Sequence, residues 1–375
     1  MNKFTLIVVL LCAATGLLRA EVNVAGMADI VFKNSDNDDF TNVTFKQHSP
    51  FHTLRTRLFF DAALGDNSAA FVQLMTDNNS VIIYGAYIRF TDLAGKYLNL
   101  QAGYIPTPVG SFGARVYSDK NPLIGTPLLF NYHSNIVAYI SDSMRSVEQL
   151  LPRRDTRFNL GLPVVYDACW NTGVEIYGSA GKLDYSLGLV SGSVSLPTLE
   201  QAKDIPQVTT KLNYYFHPGL MIGAAGFFGP YLSDKVYGDV LPNGHDYGEY
   251  MNGGIGYDFY WSSRFIEIYS ETYYAMWEHP YLPNLDVTSG YVEAKYKFSP
   301  GWYCAGRFDF FEPGEVTTAS GSEEKWDYPV KRYEFGVGHR LNRQALLKLV
   351  TQLNRVDQTN QLDVDLYALQ LSVSF

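Results

Sequence analysis

Three features of the chain predict an all-β fold, an antiparallel transmembrane β-barrel of sixteen strands. Runs of about ten residues alternate apolar and polar side chains, connection lengths alternate short and long, and the composition departs from that of a soluble protein. Of 375 residues only 18% are charged, against about 25% in soluble domains. Aromatic residues reach 15%, with 28 Tyr and 23 Phe, which excludes collagen-like, coiled-coil and disordered chains. Beyond residue 20 no apolar run is long enough for a transmembrane helix. A barrel reconciles these facts, because alternate residues of each strand face lipid and the others face a polar lumen.

The chain opens MNKFTLIVVLLCAATGLLRA, which reads as a secretory signal peptide over residues 1–20. Lys3 supplies the positive start, Phe4 to Ala14 the apolar stretch, and Leu18-Arg19-Ala20 the cleavage site. Residues 21–375 then form a single barrel domain. Loss of Lys3 and Arg19 makes the formal charge of −9 more negative by two, which excludes a general polyanion binder, nucleic acid included. Only Cys169 and Cys304 remain after cleavage, too few for a disulfide scaffold, and they read as unpaired small fillers in membrane segments.

Period-two runs fall at about 21–33, 52–64, 68–76, 81–92, 96–105, 171–179, 182–193, 205–216, 219–229, 248–261, 263–275, 285–298, 301–312, 332–340, 343–355 and 363–375. In the last, Tyr367, Leu369, Leu371, Val373 and Phe375 share the outward face, and Leu366, Ala368, Gln370, Ser372 and Ser374 the inward one. Residues 343–355 set Leu347, Leu349 and Leu353 against Lys348, Gln352 and Asn354. Residues 290–298 set Val292, Ala294, Tyr296 and Phe298 against Tyr291, Glu293, Lys295 and Lys297. Residues 52–63 set Leu54, Leu58 and Phe60 against Arg55, Arg57 and Asp61. Residues 81–91 set Ile82, Tyr84, Ala86, Ile88 and Phe90 against Tyr87 and Arg89.

The even-numbered connections (65–67, 93–95, 180–181, 217–218, 262, 299–300 and 341–342) are three residues or fewer, while seven of the eight odd ones are long. A barrel with one periplasmic rim of tight turns and one outer rim of loops has this parity, and an open soluble sheet has no reason for it. Tyr214-Tyr215-Phe216, Phe259-Tyr260-Trp261, Phe298 and Trp302 flank the tight turns, as rings do at headgroup depth. Open edges in lipid would leave backbone groups unsatisfied, so the last strand should pair with the first.

The third outer connection, Pro106 to Trp170, is the longest. A sixteen-stranded lumen is too wide for wall side chains to fill, so 106–170 is the candidate constriction loop, folded into the barrel. Its Arg115, Asp119, Lys120, Arg153, Arg154, Asp155 and Arg157 are candidate pore charges. A further hairpin from Ser134–Ile140 and Phe158–Asp167 would raise the count to eighteen strands with parity intact. Inward strand positions add Arg55, Arg57, Arg89, Lys211, Lys295, Lys297, Arg307, Arg340 and Lys348, mixed with Asp61, Glu267, Glu271, Glu293, Asp309 and Glu334. Rings of charge set ion preference in pores, so Arg55, Arg57, Arg89, Arg115, Asp119, Lys120, Arg153, Arg154, Lys295, Arg307 and Lys348 are the pore-lining candidates.

The run from Leu54 to Asp66 resembles the second strand of the phosphate-selective porin O and P family, within the bacterial porin superfamily. So do Ala86-Tyr87-Ile88-Arg89-Phe90 and Leu100 to Gly110, the latter like the family's approach to its constriction loop. Tyr104 stands where that family has Lys, and Val109 where it has Phe. The resemblance implies a bacterial outer-membrane porin, often a homotrimer, embedded in lipid and lipopolysaccharide. It also implies that Phe375, like other terminal Phe residues of such barrels, is read by the barrel-assembly machinery.

Catalytic and cofactor motifs are absent from the sequence: there is neither a Gly-x-Ser-x-Gly elbow nor an HExxH zinc motif. His133-Ser134 is the one pair that suggests an outer-membrane esterase, and Asp36-Asn37-Asp38-Asp39 the one run with calcium-like spacing. The expected function is non-enzymatic and needs no cofactor: passive diffusion of small hydrophilic solutes or ions across a Gram-negative outer membrane. A non-channel surface barrel, adhesin-like or structural, is the alternative.

Overall fold

A computed structural model of the protein describes residues 21–34, 53–77, 80–139, 144–156, 161–167, 169–197, 205–233, 241–242, 244–357 and 365–375. Residues 1–20, the Asp36–Asp39 run and Arg157 lie outside the described residues. Sixteen antiparallel strands close into one barrel. They are β1 (Val22–Lys33), β2 (Thr53–Gly65), β3 (Ser68–Asp77), β4 (Ser80–Phe90), β5 (Asn99–Pro106), β6 (Trp170–Ala180), β7 (Leu183–Val190) and β8 (Gln207–His217). There follow β9 (Leu220–Pro230), β10 (Met251–Ser262), β11 (Ile266–Trp277), β12 (Leu285–Ser299), β13 (Trp302–Pro313), β14 (Val330–Arg340), β15 (Ala345–Val356) and β16 (Asp365–Ser374).

Each strand pairs with its sequence neighbours, and β16 returns to β1 with Met27 opposite Ser374 and Lys33 opposite Ala368. The terminal residue completes the seam: Gly26 and Phe375 exchange backbone hydrogen bonds of 2.7 and 2.9 Å. The Phe375 ring lies directly over Gly26, where any side chain would collide with it. Closure is obligatory in lipid, where an unpaired backbone group costs several kcal/mol.

The alternation places apolar residues outward along the wall. Leu54, Ile88, Ile176, Leu187, Val208, Leu212, Ile222, Val292, Phe335, Val337 and Leu349 are all exposed, and Ile255 is 70% so. An apolar surface this continuous is a lipid-facing band, not a soluble exterior. At the short-turn rim Tyr214, Phe216, Phe298 and Trp302 are exposed, with Trp302 stacked 4.0 Å from the His339 ring.

The structure corrects four expectations. The described residues of 134–162 add no strands to the wall, so the count is sixteen and not eighteen. Ser134 and Ile136 do pair with Leu162 through backbone bonds of 3.1 and 2.7 Å, but inside the loop. Second, the connection after β4 is longer than a tight turn and holds a short extended piece, Leu93–Lys96. Third, Tyr84 faces the lumen and not lipid. Between β3 and β4 the register slips: Leu74 is opposite Ile83 and Gln73 opposite Gly85. The bulge leaves Tyr84 as the extra residue and reverses the alternation there. Fourth, Cys169 lies in the loop and not in a strand; both it and Cys304 are free thiols.

Candidate functional site

The loop after β5 turns into the barrel at once. Thr107 N–H bonds back to the Cys169 carbonyl at 2.8 Å, so the loop leaves and returns through one neck beside the Pro106–Trp170 pair. Gly110 takes a φ of +71°, which lets the chain bend toward the opposite wall where Glu271 waits. Short helical turns follow at Phe112–Arg115, Leu128–Asn131 and Val147–Leu150.

The loop then fills the half of the lumen nearest the long-loop rim. Phe112, Leu128, Leu129, Phe130, Tyr132, Ile136, Leu150 and Val164 are buried among wall residues Tyr273, Trp277, Leu285, Val287, Tyr291, Phe311 and Val330. Each such side chain contributes about 1.5–3 kcal/mol of transfer free energy. The sixteen-stranded barrel thus carries a packed apolar core in the half of its lumen nearest the long loops. A smaller cluster, Leu123 and Ile124 against Tyr303, Leu346, Val350 and Leu366, seals the β13–β16 side.

Below this core, inward charges hold the loop by its carbonyls. Arg307 donates to Gly125 at 2.7 Å, Arg332 to Thr126 at 3.1 Å, and Lys348 to Asn121 and Leu123 at 2.9 Å each. Arg307 also meets Glu293 at 3.1 Å and Glu334 at 2.5 Å, and the loop's Arg115 pairs with Glu293 as well. Burial alone would lower the Arg115 pKa, but Glu293, Tyr291 and Tyr269 together outweigh it and hold the guanidinium above its usual value. Ser111 N–H donates to Glu271 at 2.8 Å and its hydroxyl to Asp258. Ser118 donates to Asp29 at 2.5 Å, and Tyr117 to Gln73 at 2.9 Å.

These anchors lie mostly on β8–β16 and β1, so the loop covers that side of the lumen. The β2–β8 side is less covered. There Arg57, 2% exposed, has its guanidinium 5.5 Å from the Tyr84 ring and 5.2 Å from the Tyr117 ring. Among the described residues it has neither a hydrogen-bond nor an ion-pair partner, and its Nε is buried. Arg55 stands opposite Asp29 and Asp77 on the neighbouring strands. Arg89 borders a cavity of about 400 Å³ between the wall and the loop residues Pro106 to Ala114.

The remaining candidates sit at the two mouths. Asp119, Lys120 and Lys295 border a second cavity of about 750 Å³ at the short-turn rim, together with Arg264, Lys297 and Arg340. Lys295 and Lys297 share Glu267 at 3.4 and 2.5 Å, and Lys120 lies 3.2 Å from Asp119. Arg154 is at the opposite rim, 2.7 Å from the Lys325 carbonyl and 3.3 Å from Glu324. Arg153 is in the same short helical turn, Arg153–Thr156.

Sequence reasoning therefore found the charges without separating those that grip the loop from those that border free space. It did not find Gln101, Glu175 or Tyr177, which border the 400 Å³ cavity; fixing the phase of β5 and β6 would have placed them inward. The His133-Ser134 pair is spent locally. His133 Nδ1 contacts the Gly161 carbonyl at 2.6 Å, and buried Ser134 donates to Leu162 at 2.7 Å. Burial pushes the Cys169 thiol up to about 12, which keeps it protonated and unreactive at neutral pH.

The chain matches no family model and no curated protein. Its fold does have solved counterparts. It is similar to an anion-selective porin from Comamonas acidovorans, with a TM-score of 0.60 and 10% identity over 95% of this chain and 100% of that one. It is similar to the outer membrane channel DcaP of Acinetobacter baumannii, with a TM-score of 0.58 and 14% identity over 95% and 97%. It is also similar to Salmonella typhi OmpF in complex with daunomycin, with a TM-score of 0.59 and 12% identity over 95% and 98%. At these identities the likeness speaks for architecture: the chain has the sixteen-stranded barrel fold of bacterial outer-membrane porins.

Proposed function

We propose that the protein is a non-enzymatic outer-membrane channel for passive diffusion of small hydrophilic solutes or ions, with residues 106–170 as its constriction. The observation that carries this is the one-sided placement of the loop. It is anchored to β8–β16 and β1, and it leaves a cavity of about 400 Å³, bordered by Arg89, Gln101, Glu175 and Lys211 among apolar neighbours, against the β4–β9 wall. An esterase needs a free nucleophile beside its base, whereas Ser134 and His133 are each engaged with a loop carbonyl.

The placement of cations favours anions. Arg57 is a buried guanidinium beside the path with neither hydrogen-bond nor ion-pair partner among the described residues, and Lys120, Arg264, Lys295, Lys297 and Arg340 crowd the short-turn mouth. The barrel is read as delivered by the assembly machinery through Phe375, whose ring is exposed at the seam. Homotrimerisation and contact with lipopolysaccharide belong to the same reading.

The test is the reversal potential of the refolded protein in a planar bilayer under a salt gradient. The expected result is discrete conductance steps with a reversal potential on the anion side, moved toward zero by Arg57→Gln. A silent bilayer from protein that keeps the heat-modifiable migration of a folded barrel would overturn the channel reading.

A further inference from the structure

The cavity beside β4–β9 has a chemistry that a simple diffusion channel does not require. Arg89, Gln101 and Glu175 stand directly opposite one another on three consecutive strands. The Gln101 amide joins the other two. Its Oε1 accepts from Arg89 Nε and Nη2 at 3.3 and 3.2 Å, and its Nε2 donates to Glu175 at 2.5 Å. Lys211, the second cation in the lining, lies 3.5 Å from Asp258 and donates to Ser111 at 2.7 Å. Among the described residues none of these charges stands alone: Gln101 bridges Arg89 to Glu175, and Lys211 lies beside Asp258.

What the cavity offers instead is flat polar groups beside ring faces. Tyr177 and Tyr215 line it, and the Arg89 guanidinium lies over the rings of Phe71, Tyr87 and Tyr177 at 4.8, 5.5 and 5.9 Å. Amide, carboxylate and guanidinium groups each present two atoms in one plane, the geometry that pairs with adjacent hydroxyls. Aromatic faces accept the apolar C–H face of a pyranose ring. A volume of about 400 Å³ falls within the range of small-molecule sites, roughly 300–1,000 Å³.

We propose that this cavity is a solute subsite for neutral sugars, mono- or disaccharides, which stack on Tyr177 and hydrogen-bond to the Arg89–Gln101–Glu175 row during passage. The proposal rests on the channel reading above and names a neutral solute class for this one cavity, apart from the ion preference argued from Arg57 and the short-turn mouth.

The probe is maltose, added to bilayers that contain single conducting channels. The expected result is concentration-dependent interruption of the ion current. The half-blocking concentration should rise about tenfold in Tyr177→Ala and stay near the wild-type value in Tyr177→Phe. Absence of block at molar maltose in a conducting channel would overturn the proposal, as would stronger block by alanine (a zwitterion) or citrate (an anion). Equilibrium dialysis of radiolabelled maltose against the refolded barrel in detergent separates the two readings. Binding without conductance would sink the channel and keep the subsite; conductance without binding or block would do the reverse.

Discussion

At the residue scale, the interior of this barrel follows the rules of a protein core more than those of a water-filled pore. Arg307 shows this. It is fully buried with Glu293 at 3.1 Å, Asp309 at 3.4 Å and Glu334 at 2.5 Å. Such a group is stable only as a set, because loss of one partner strands the remaining charges without solvent. His279 behaves likewise at the long-loop rim. Burial lowers its pKa from 6.5 to about 4, and its Nδ1 accepts from Tyr281 N–H at 3.2 Å while Nε2 has no partner among the described residues. The folded state therefore binds this proton less readily than the unfolded chain. Stability from neutral His279 is fully present above pH 6.5 and is lost as the pH falls toward 4, at about 1.4 kcal/mol per unit. Heat-modifiability of the detergent-folded barrel should show a lower unfolding midpoint at pH 4.5 than at pH 7.5. His279→Asn, which keeps an acceptor for Tyr281, should reduce that difference; an unchanged difference would count against the assignment.

At the element scale, the strands were legible because each repeats one simple signal. Leu349 outward and Lys348 inward follow from period two alone, and so does the run of β16. Tyr84 was misread because a bulge is a backbone event that the side-chain pattern does not announce. The loop was legible in length and position but not in role. Nothing in the spacing of Arg307, Arg332 and Lys348 says that their partners are main-chain carbonyls at 125, 126, 121 and 123. Those contacts join residues some two hundred positions apart, and local patterning holds no record of them. The seam is the element that lends itself to a direct test. Gly26→Leu should displace the Phe375 ring and weaken closure, seen as a lower unfolding midpoint of protein refolded in detergent. Phe375→Ala in the same background should recover much of the loss, because the collision disappears. Equal midpoints for Gly26→Leu and the double variant would show that the ring and the glycine are not coupled.

At the scale of the whole molecule, the low charged fraction and high aromatic content reflect one barrel exposed to two solvents, with an apolar band outside and a lumen largely occupied by its own chain. The composition excluded a soluble domain, and the parity of the connections replaced it with a barrel. How far the lumen is filled only the packed loop reveals. On the proposed function, residues 106–170 restrict a path along the less covered wall. The most direct measurement is single-channel conductance of the refolded full-length protein beside a variant in which residues 119–160 are replaced by a short Gly/Ser linker. The account predicts a small conductance for the first and a several-fold larger one for the second, both migrating as folded barrels. Equal conductance in the two would contradict it.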